Sequence, residues 1–355
     1  MPGVDRPRSD RPRSQWLWPV GGPTREVVRA LEGWLAADGE PRPLVVATSG
    51  STGEPKRVLL SRRALLASAR ATERRLGGGG PWVLALPVSY VAGLQVLLRS
   101  LLAGHPPVLA EQHGGLAGAL RAAARDGHPF VSLVATQLWR ALDDPGELAA
   151  LTGCRAVLLG GGPVPPGLRE RAEAAGVGVV ATYGATETAG GCVYEGRALD
   201  GVRVALGEDG RIRIGGEVLS DGYDGDPART AAAFADGWFL TSDAGSWAED
   251  GRLRVLGRLD DLLVTGGVKV PAPAVAARLR EHPAVRDAAV VGVADPEWGQ
   301  RVVAFVVGEL GLEEARDWVG EAHPRAWAPR TLHLVDALPL LANGKVDRHA
   351  LESRA

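Results

Sequence analysis

Between residues 44 and 183, short apolar runs alternate with stretches of helical periodicity. The order is LVVAT, helical 62–76, WVLALPV, helical 92–103, PPVLA, helical 115–125, FVSLVAT, helical 137–142, RAVLLGGG, helical 166–175 and GVVATYG. Strands alternating with helices across short loops predict an α/β fold, a mostly parallel, doubly wound sheet covered on both faces. Such sheets bind ligands beyond the carboxyl ends of their strands. Three of those ends lead into loops rich in chemistry, at 48–56, 160–163 and 184–191.

The texture changes after residue 200. EDGRIRI and EDGRLRVLG read as strands with tight turns at Asp209-Gly210 and Asp250-Gly251, which predicts a β-rich subdomain attached to the sheet. Past GRLDD (257–261) come helical patterns near 272–281 and 312–320 and a strand-like AFVVG, a compact α+β segment. The expected organisation is a loose, disordered tail over 1–15, a large domain over 16–258 and a small C-terminal domain over 259–355, with the boundary at about 258–261.

A length of 355 residues permits a large core and more than one domain. The formal charge of −2 gives no basic field, so neither nucleic acid nor an anionic membrane is expected as a main partner. The most apolar window, Trp82 to Leu98, is short for a membrane span and reads as a buried strand followed by a buried helix. The N-terminus MPGVDRPRSDRPRSQ lacks the apolar core of a signal peptide. Cys154 and Cys192 stand far apart and match neither a disulfide framework nor a CxxC site, which points to a reducing compartment and the cytoplasm. Seven histidines without ligand spacing show no protein-held zinc site.

Of forty basic residues only three are lysines, Lys56, Lys269 and Lys345. Where a surface cation is almost always Arg, a retained Lys is a candidate for work that needs a compact ammonium. Within LVVATSGSTGEPKRVLLS (44–61), Lys56 closes the run TSGSTGEPK, which follows the apolar stretch Leu44 to Ala47 and precedes Ser61, a good N-cap for Arg62 to Leu76. Gly50 and Gly53 allow positive φ, so that several amides can face one concavity, and Thr48, Ser49, Ser51 and Thr52 add hydroxyl donors. A loop of that make-up suits an oligophosphate. It is not a Walker A loop, because Lys56 precedes Arg57 instead of Ser or Thr, and Gly50 with Gly53 does not complete a GxGxxG fingerprint.

TSGSTGEPK (48–56) resembles the phosphate loop of the adenylate-forming enzymes, the acyl-CoA synthetases, peptide-synthetase adenylation domains and luciferases. Four further segments follow in that superfamily's order: LGGGP (159–163), TYGATET (182–188), TSDAG with GRLDDLLVTGG (241–267), and NGKVDR (343–348). The resemblance implies that the loop from Thr48 to Lys56 wraps the β and γ phosphates of ATP. It implies that Thr186 and Glu187 serve catalysis, with Glu187 holding Mg²⁺. Gly160, Gly161, Gly162 and Pro163 would form a flat slot for adenine, closed by Tyr183, with Gly184 and Ala185 beside the nucleotide. Asp243 would accept from both ribose hydroxyls, and Arg258 would donate near the same sugar. Lys345 would stabilise charge on the bridging oxygens as a carboxylate attacks the α-phosphate. The implied small domain is mobile, turning about Asp260 so that Lys345 leaves before a thiol enters. Gly266 and Gly267 would line the thiol tunnel, and Lys269 would meet a phosphate of coenzyme A or serve the second conformation.

Within the superfamily, SLVATQLWRAL (132–142) and GGCVYEGRALDGV (190–202) are similar to ligases that join o-succinylbenzoate to coenzyme A in menaquinone biosynthesis, in their short actinobacterial form. A flat aromatic keto-diacid calls for an apolar slot with a donor for the second carboxylate, and Ser89, Tyr90, Gly93, Gln137, Gly191 and Cys192 are the candidates. The expected partners are ATP, Mg²⁺, coenzyme A and the acid, with a homodimer left open. The resemblance starts almost at the phosphate loop, so most of the family's N-terminal subdomain is expected to be lacking. Tyr90 stands where the family often has His, Ser242 where it has Gly, and GGVKVPAP replaces the usual GGENVYP. Other acids, a carrier-protein acceptor, or an inactive nucleotide-binding homologue are the alternatives.

Overall fold

The computed structural model describes residues 17–48, 56–162, 164–339 and 346–355. After helix α1 (Thr24–Leu35), strands β1 (Leu44–Thr48) and β2 (Lys56–Leu60) pair antiparallel as a separate two-stranded sheet. This corrects one expectation, that LVVAT opens the parallel sheet. The residues after the loop form a strand of their own because Val58 and Leu60 alternate into the core. The outer edge of β2 is satisfied by residues 221–224: Leu59 N donates to Gly222 O (2.9 Å), and Asp221 and Asp224 amides donate back to Leu59 and Arg57. Helix α2 (Arg62–Leu76) then starts where the sequence predicts, with Ser61 Oγ accepting from the Ala64 amide.

From here the alternation builds one seven-stranded sheet. In chain order it contributes β3 (Trp82–Leu84), α3 (Val91–Leu102), β4 (Val108–Leu109), α4 (Leu116–Ala123), β5 (Phe130–Leu133), α5 (Ala135–Asp143), α6 (Pro145–Leu151), β6 (Ala156–Leu159), α7 (Pro166–Ala174), β7 (Val179–Ala185), β8 (Gly190–Tyr194) and β9 (Arg197–Ala198). The spatial order is β4-β3-β5-β6-β7-β8-β9. Pairing is parallel from β4 through β7, and β8 and β9 fold back antiparallel. Leu120, Leu138, Leu142 and Leu168 from α4, α5 and α7 cover one face, packed on Val83, Val131 and Val157. Helices α2 and α3 pack on the other side against β3, β5 and β8, where Trp82 stacks on Phe130 at 4.9 Å. The sheet is therefore doubly covered, and its strand ends present the loops that follow β3, β5, β6 and β7 together. No helix among the described residues is long and apolar enough to cross a membrane.

The hairpin region comprises β10 (Val202–Leu206), β11 (Arg211–Gly216), α8 (Pro227–Ala233), β12 (Phe234–Ala235), β13 (Trp238–Trp247) and β14 (Leu253–Arg258), with order β10-β11-β13-β12 and β14 on β13. Both predicted turns are present: Gly210 has φ 77° and Gly251 φ 75°, values that suit glycine.

Backbone proximity divides the chain into two units. The first holds residues 1–205, 213–241 and 249–252; the second gathers 206–212, 242–248 and 253–355. The division runs through the hairpins and places Asp243 with Arg258, whereas the boundary read from the sequence concerns a hinge at 258–261. In the second unit, β15 (Leu262–Thr265), β16 (Val268–Pro271), β17 (Val285–Asp295), β18 (Gly299–Gly308) and β19 (Thr331–Leu334) form a sheet of order β16-β15-β18-β17, with β19 parallel to β18. Helices α9 (Ala272–Arg280) and α10 (Leu312–Ala322) bury Val275, Leu279 and Val319 on one face. Leu338 and Leu351, the latter on α11 (Arg348–Glu352), cover Phe305 on the other. This is the α+β segment the sequence predicts.

Candidate nucleotide and acyl site

Thr48 and Lys56 are direct partners across β1 and β2, so the phosphate loop is closed at its base by an antiparallel pair. Ser49, Gly50, Ser51, Thr52 and Gly53 lie outside the described residues, as do Pro163 and Lys345. Lys56 is half-buried, and its Nζ stands 5.8 Å from the ring centre of Tyr223. Tyr223 Oη in turn donates to Glu187 Oε1 at 2.8 Å. Burial first, and the Glu187 charge second, push the Tyr223 phenol well above its ordinary range, so it stays a donor at physiological pH.

Glu187 sits on the 3₁₀ turn Thr186–Thr188 at the end of β7 and is only 8% exposed. That turn is braced from several sides. The Thr188 hydroxyl accepts from the Ala185 amide (2.8 Å), Ser220 N donates to Glu187 O (2.9 Å), and Gln95 Nε2 donates to Ala189 O (2.8 Å). A Cβ on Gly184 would stand 2.2 Å from Gly190 O, so the close approach of β8 admits only glycine there. Among the described residues no cationic side chain pairs with the Glu187 carboxylate. A buried carboxylate so placed is a natural ligand for a hard cation. No cluster of three ligating side chains occurs among the described residues.

Gly160, Gly161 and Gly162 leave β6 beside Tyr183, Gly184, Ala185 and Thr186 leaving β7, since Leu159 pairs with Ala181. A Cβ on Gly160 would meet Thr182 Oγ1 at 2.6 Å, and Gly161 has φ 82°. The loop therefore runs close against the neighbouring strand end. Tyr183 is half-buried next to it.

In the second unit Asp243 and Arg258 face each other across β13 and β14, Oδ1 to Nη1 3.8 Å, and both side chains remain partly exposed. Asp260 lies in the 3₁₀ turn Leu259–Asp261 between β14 and β15. Gly266 and Gly267, with φ 54° and 77°, make the two-residue turn joining β15 to β16, which requires positive φ at both positions. Their identity therefore has a conformational cause, whether or not a ligand passes. Lys269 is exposed beside the turn at Gly210; Arg211 first, and Lys269 least, lower the Asp209 carboxyl.

The acyl candidates divide. Ser89 lines a cavity of about 470 Å³ together with residues 84–88, 109–111, Gly21, Gly22 and Thr24. Tyr90 is 57% exposed at the start of α3. Gly93 is buried, and a Cβ there would lie 2.3 Å from Pro87 O, so its smallness serves the packing of α3. Gln137 uses its carboxamide on the backbone, accepting from Val134 N (3.0 Å) and donating to Ala85 O (2.9 Å). It ties the loops after β3 and β5 together. Gly191 lies under the Tyr194 ring. Cys192 is completely buried, and burial pushes its thiol up to about 12. Gln137 thus spends part of its hydrogen-bonding capacity on the backbone, and Cys192 lies wholly within the core.

Two residues of the site escape a reading of the sequence. Tyr223, in SDGYDG, looks like an ordinary turn, and Gln95 looks like an interruption in an apolar helix; only the tertiary contacts reveal either.

Fold and site together define an AMP-binding enzyme. The AMP-binding enzyme family matches residues 43–223 and the AMP-binding enzyme C-terminal domain matches residues 274–345, and the chain belongs to this family. It is 47% identical over 323 residues, 88% of this chain and 84% of the relative, to a probable 2-succinylbenzoate–CoA ligase of Mycobacterium tuberculosis. Among solved structures it resembles o-succinylbenzoate CoA synthetase of Bacillus subtilis in complex with the acyl-adenylate intermediate OSB-AMP, with TM-score 0.71, 29% identity, and coverage of 87% of this chain and 68% of that one. The same Bacillus subtilis enzyme in complex with ATP and magnesium ion matches with TM-score 0.71 and 29% identity, covering 87% and 69% of the two chains.

Proposed function

We propose that this chain ligates 2-succinylbenzoate to coenzyme A at the expense of ATP, through an acyl-adenylate, in menaquinone biosynthesis. The observation that carries the chemistry is the buried Glu187 carboxylate, unpaired by any described cation, joined through Tyr223 to the lysine that closes the phosphate loop. The choice of acid rests on the 47% identity to the mycobacterial relative.

The reaction runs in two balanced steps. A carboxylate oxygen of the acid attacks the α-phosphorus, and pyrophosphate leaves. The thiol sulfur of coenzyme A then attacks the acyl carbon, losing its proton, and AMP departs. The residues 48–56 hold the β and γ phosphates, with Lys56 at their end. Bound beside Glu187, Mg²⁺ would neutralise phosphate charge. Glycines 160–162 and Tyr183 take the adenine, and Asp243 with Arg258 takes the ribose. Lys345 stabilises charge developing at the α-phosphate in the first step and is withdrawn for the second by rotation about 258–261. The free thiols Cys154 and Cys192 suit a reducing cytoplasm.

Pyrophosphate release with 2-succinylbenzoate, benzoate, salicylate and medium-chain acids tests the reading. Preference for the keto-diacid is expected; equal or better turnover of another acid contradicts the substrate assignment. Free coenzyme A should discharge the adenylate without a carrier protein.

A further inference from the structure

The nucleotide site contains one buried donor that no motif announces. Tyr223 and Glu187 are 6% and 8% exposed, and the phenol O–H ends on Glu187 Oε1. Tyr223 is itself held on every side. Its amide donates to Thr230 Oγ1 (2.9 Å), its backbone bridges to Val58 on β2, and its ring meets Phe234 edge-on with centres 6.1 Å apart. Strand β2 begins with Lys56, whose ammonium lies over the same ring. A single side chain therefore links the strand carrying the phosphate-loop lysine to the turn carrying the carboxylate, although the two are remote in sequence.

A hydrogen bond to one carboxylate oxygen does two things. It fixes the plane of the group, and it leaves the other oxygen as the one without a partner among the described residues. Outer partners of this kind orient metal ligands, and their removal commonly weakens metal binding 10- to 100-fold. We infer that Tyr223 is a positioning residue of this enzyme, whose hydroxyl orients Glu187 so that Oε2 faces the cation accompanying ATP. The inference rests on the function proposed above. It makes the Tyr223 hydroxyl, and not the ring, responsible for metal affinity, while the ring serves packing.

The test is Mn²⁺ binding to the full-length protein with ATP, read by electron paramagnetic resonance, alongside AMP binding without metal by calorimetry. Tyr223→Phe is expected to weaken Mn²⁺ binding about tenfold or more, with AMP affinity within about twofold of wild type, as expected when only an outer partner of the metal ligand is removed. Phe234→Leu, which loosens the ring's packing and keeps the hydroxyl, is expected to leave Mn²⁺ affinity near wild type. Unchanged Mn²⁺ affinity in Tyr223→Phe, parallel loss of AMP and Mn²⁺ binding, or an equal loss in Phe234→Leu would each overturn the inference. A wild-type chain that binds no Mn²⁺ with ATP contradicts the proposed function; wild-type binding that Tyr223→Phe leaves intact contradicts this inference alone.

Discussion

Glu187 and Gly184 show how narrowly single residues set this site. The carboxylate is buried on a one-turn 3₁₀ segment whose entrance is possible only because residue 184 lacks a Cβ. Gly184→Ala forces the backbone of β8 away from β7 and should cost about 2 kcal/mol, seen as a lower thermal midpoint together with weaker Mg²⁺-dependent ATP binding. A midpoint equal to wild type would show that the strand pair yields more easily than its geometry implies. The cysteines offer a pH test. Burial pushes the thiols of both Cys154 and Cys192 up to about 12. Because the thiolate is the nucleophile, each pH unit below that value lowers the reactive fraction about tenfold. Alkylation of the native protein at pH 7 should therefore be slow and should accelerate steadily up to pH 10, whereas urea should expose both thiols at once. Rapid labelling at pH 7 would contradict the burial. Gly160 and Gly184 were legible as candidate site residues because their motifs are local. Tyr223 was not, since its partner is 36 positions away and its own neighbours are all turn formers.

Among elements, those whose causes lie within a few residues are the ones the sequence reveals. Helix α2 begins at Ser61 and ends at Gly77 in the left-handed conformation, and both ends can be read from residue type. Strand β2 is different: its place depends on residues 221–224 covering its edge, a contact no local pattern encodes. Helix α1, which lies ahead of the alternating pattern that marks the sheet, presents Val27, Ala30, Leu31 and Trp34 as one buried stripe. Helix α6 starts on Asp144-Pro145: the Asp144 carboxylate accepts from Glu147 N at 2.8 Å and Pro145 occupies the first helical position. Asp144→Ala should destabilise the first unit by about 1 kcal/mol, measured by chemical denaturation. No change would mean the cap is redundant with the packing of α6.

At the scale of the whole molecule, five separated motifs standing in the superfamily's order were enough to identify the family. The acyl candidates are harder to read, since tertiary contacts no local pattern encodes occupy them, as with Gln137 on the Val134 and Ala85 backbone and Cys192 in the core. The proposed division of labour predicts that Lys345→Ala loses adenylation by about 100-fold or more while still converting supplied acyl-adenylate and coenzyme A into thioester. Equal loss of both half-reactions would contradict rotation about 258–261. In the proposed reaction the acid's own oxygen bonds to the α-phosphorus of ATP. The most direct measurement gives the enzyme 2-succinylbenzoate labelled with ¹⁸O in its carboxyl groups, ATP and coenzyme A, and weighs the products by mass spectrometry. One ¹⁸O in AMP and none in pyrophosphate is expected; label in inorganic phosphate accompanied by ADP, or AMP without label, would rule out an acyl-adenylate.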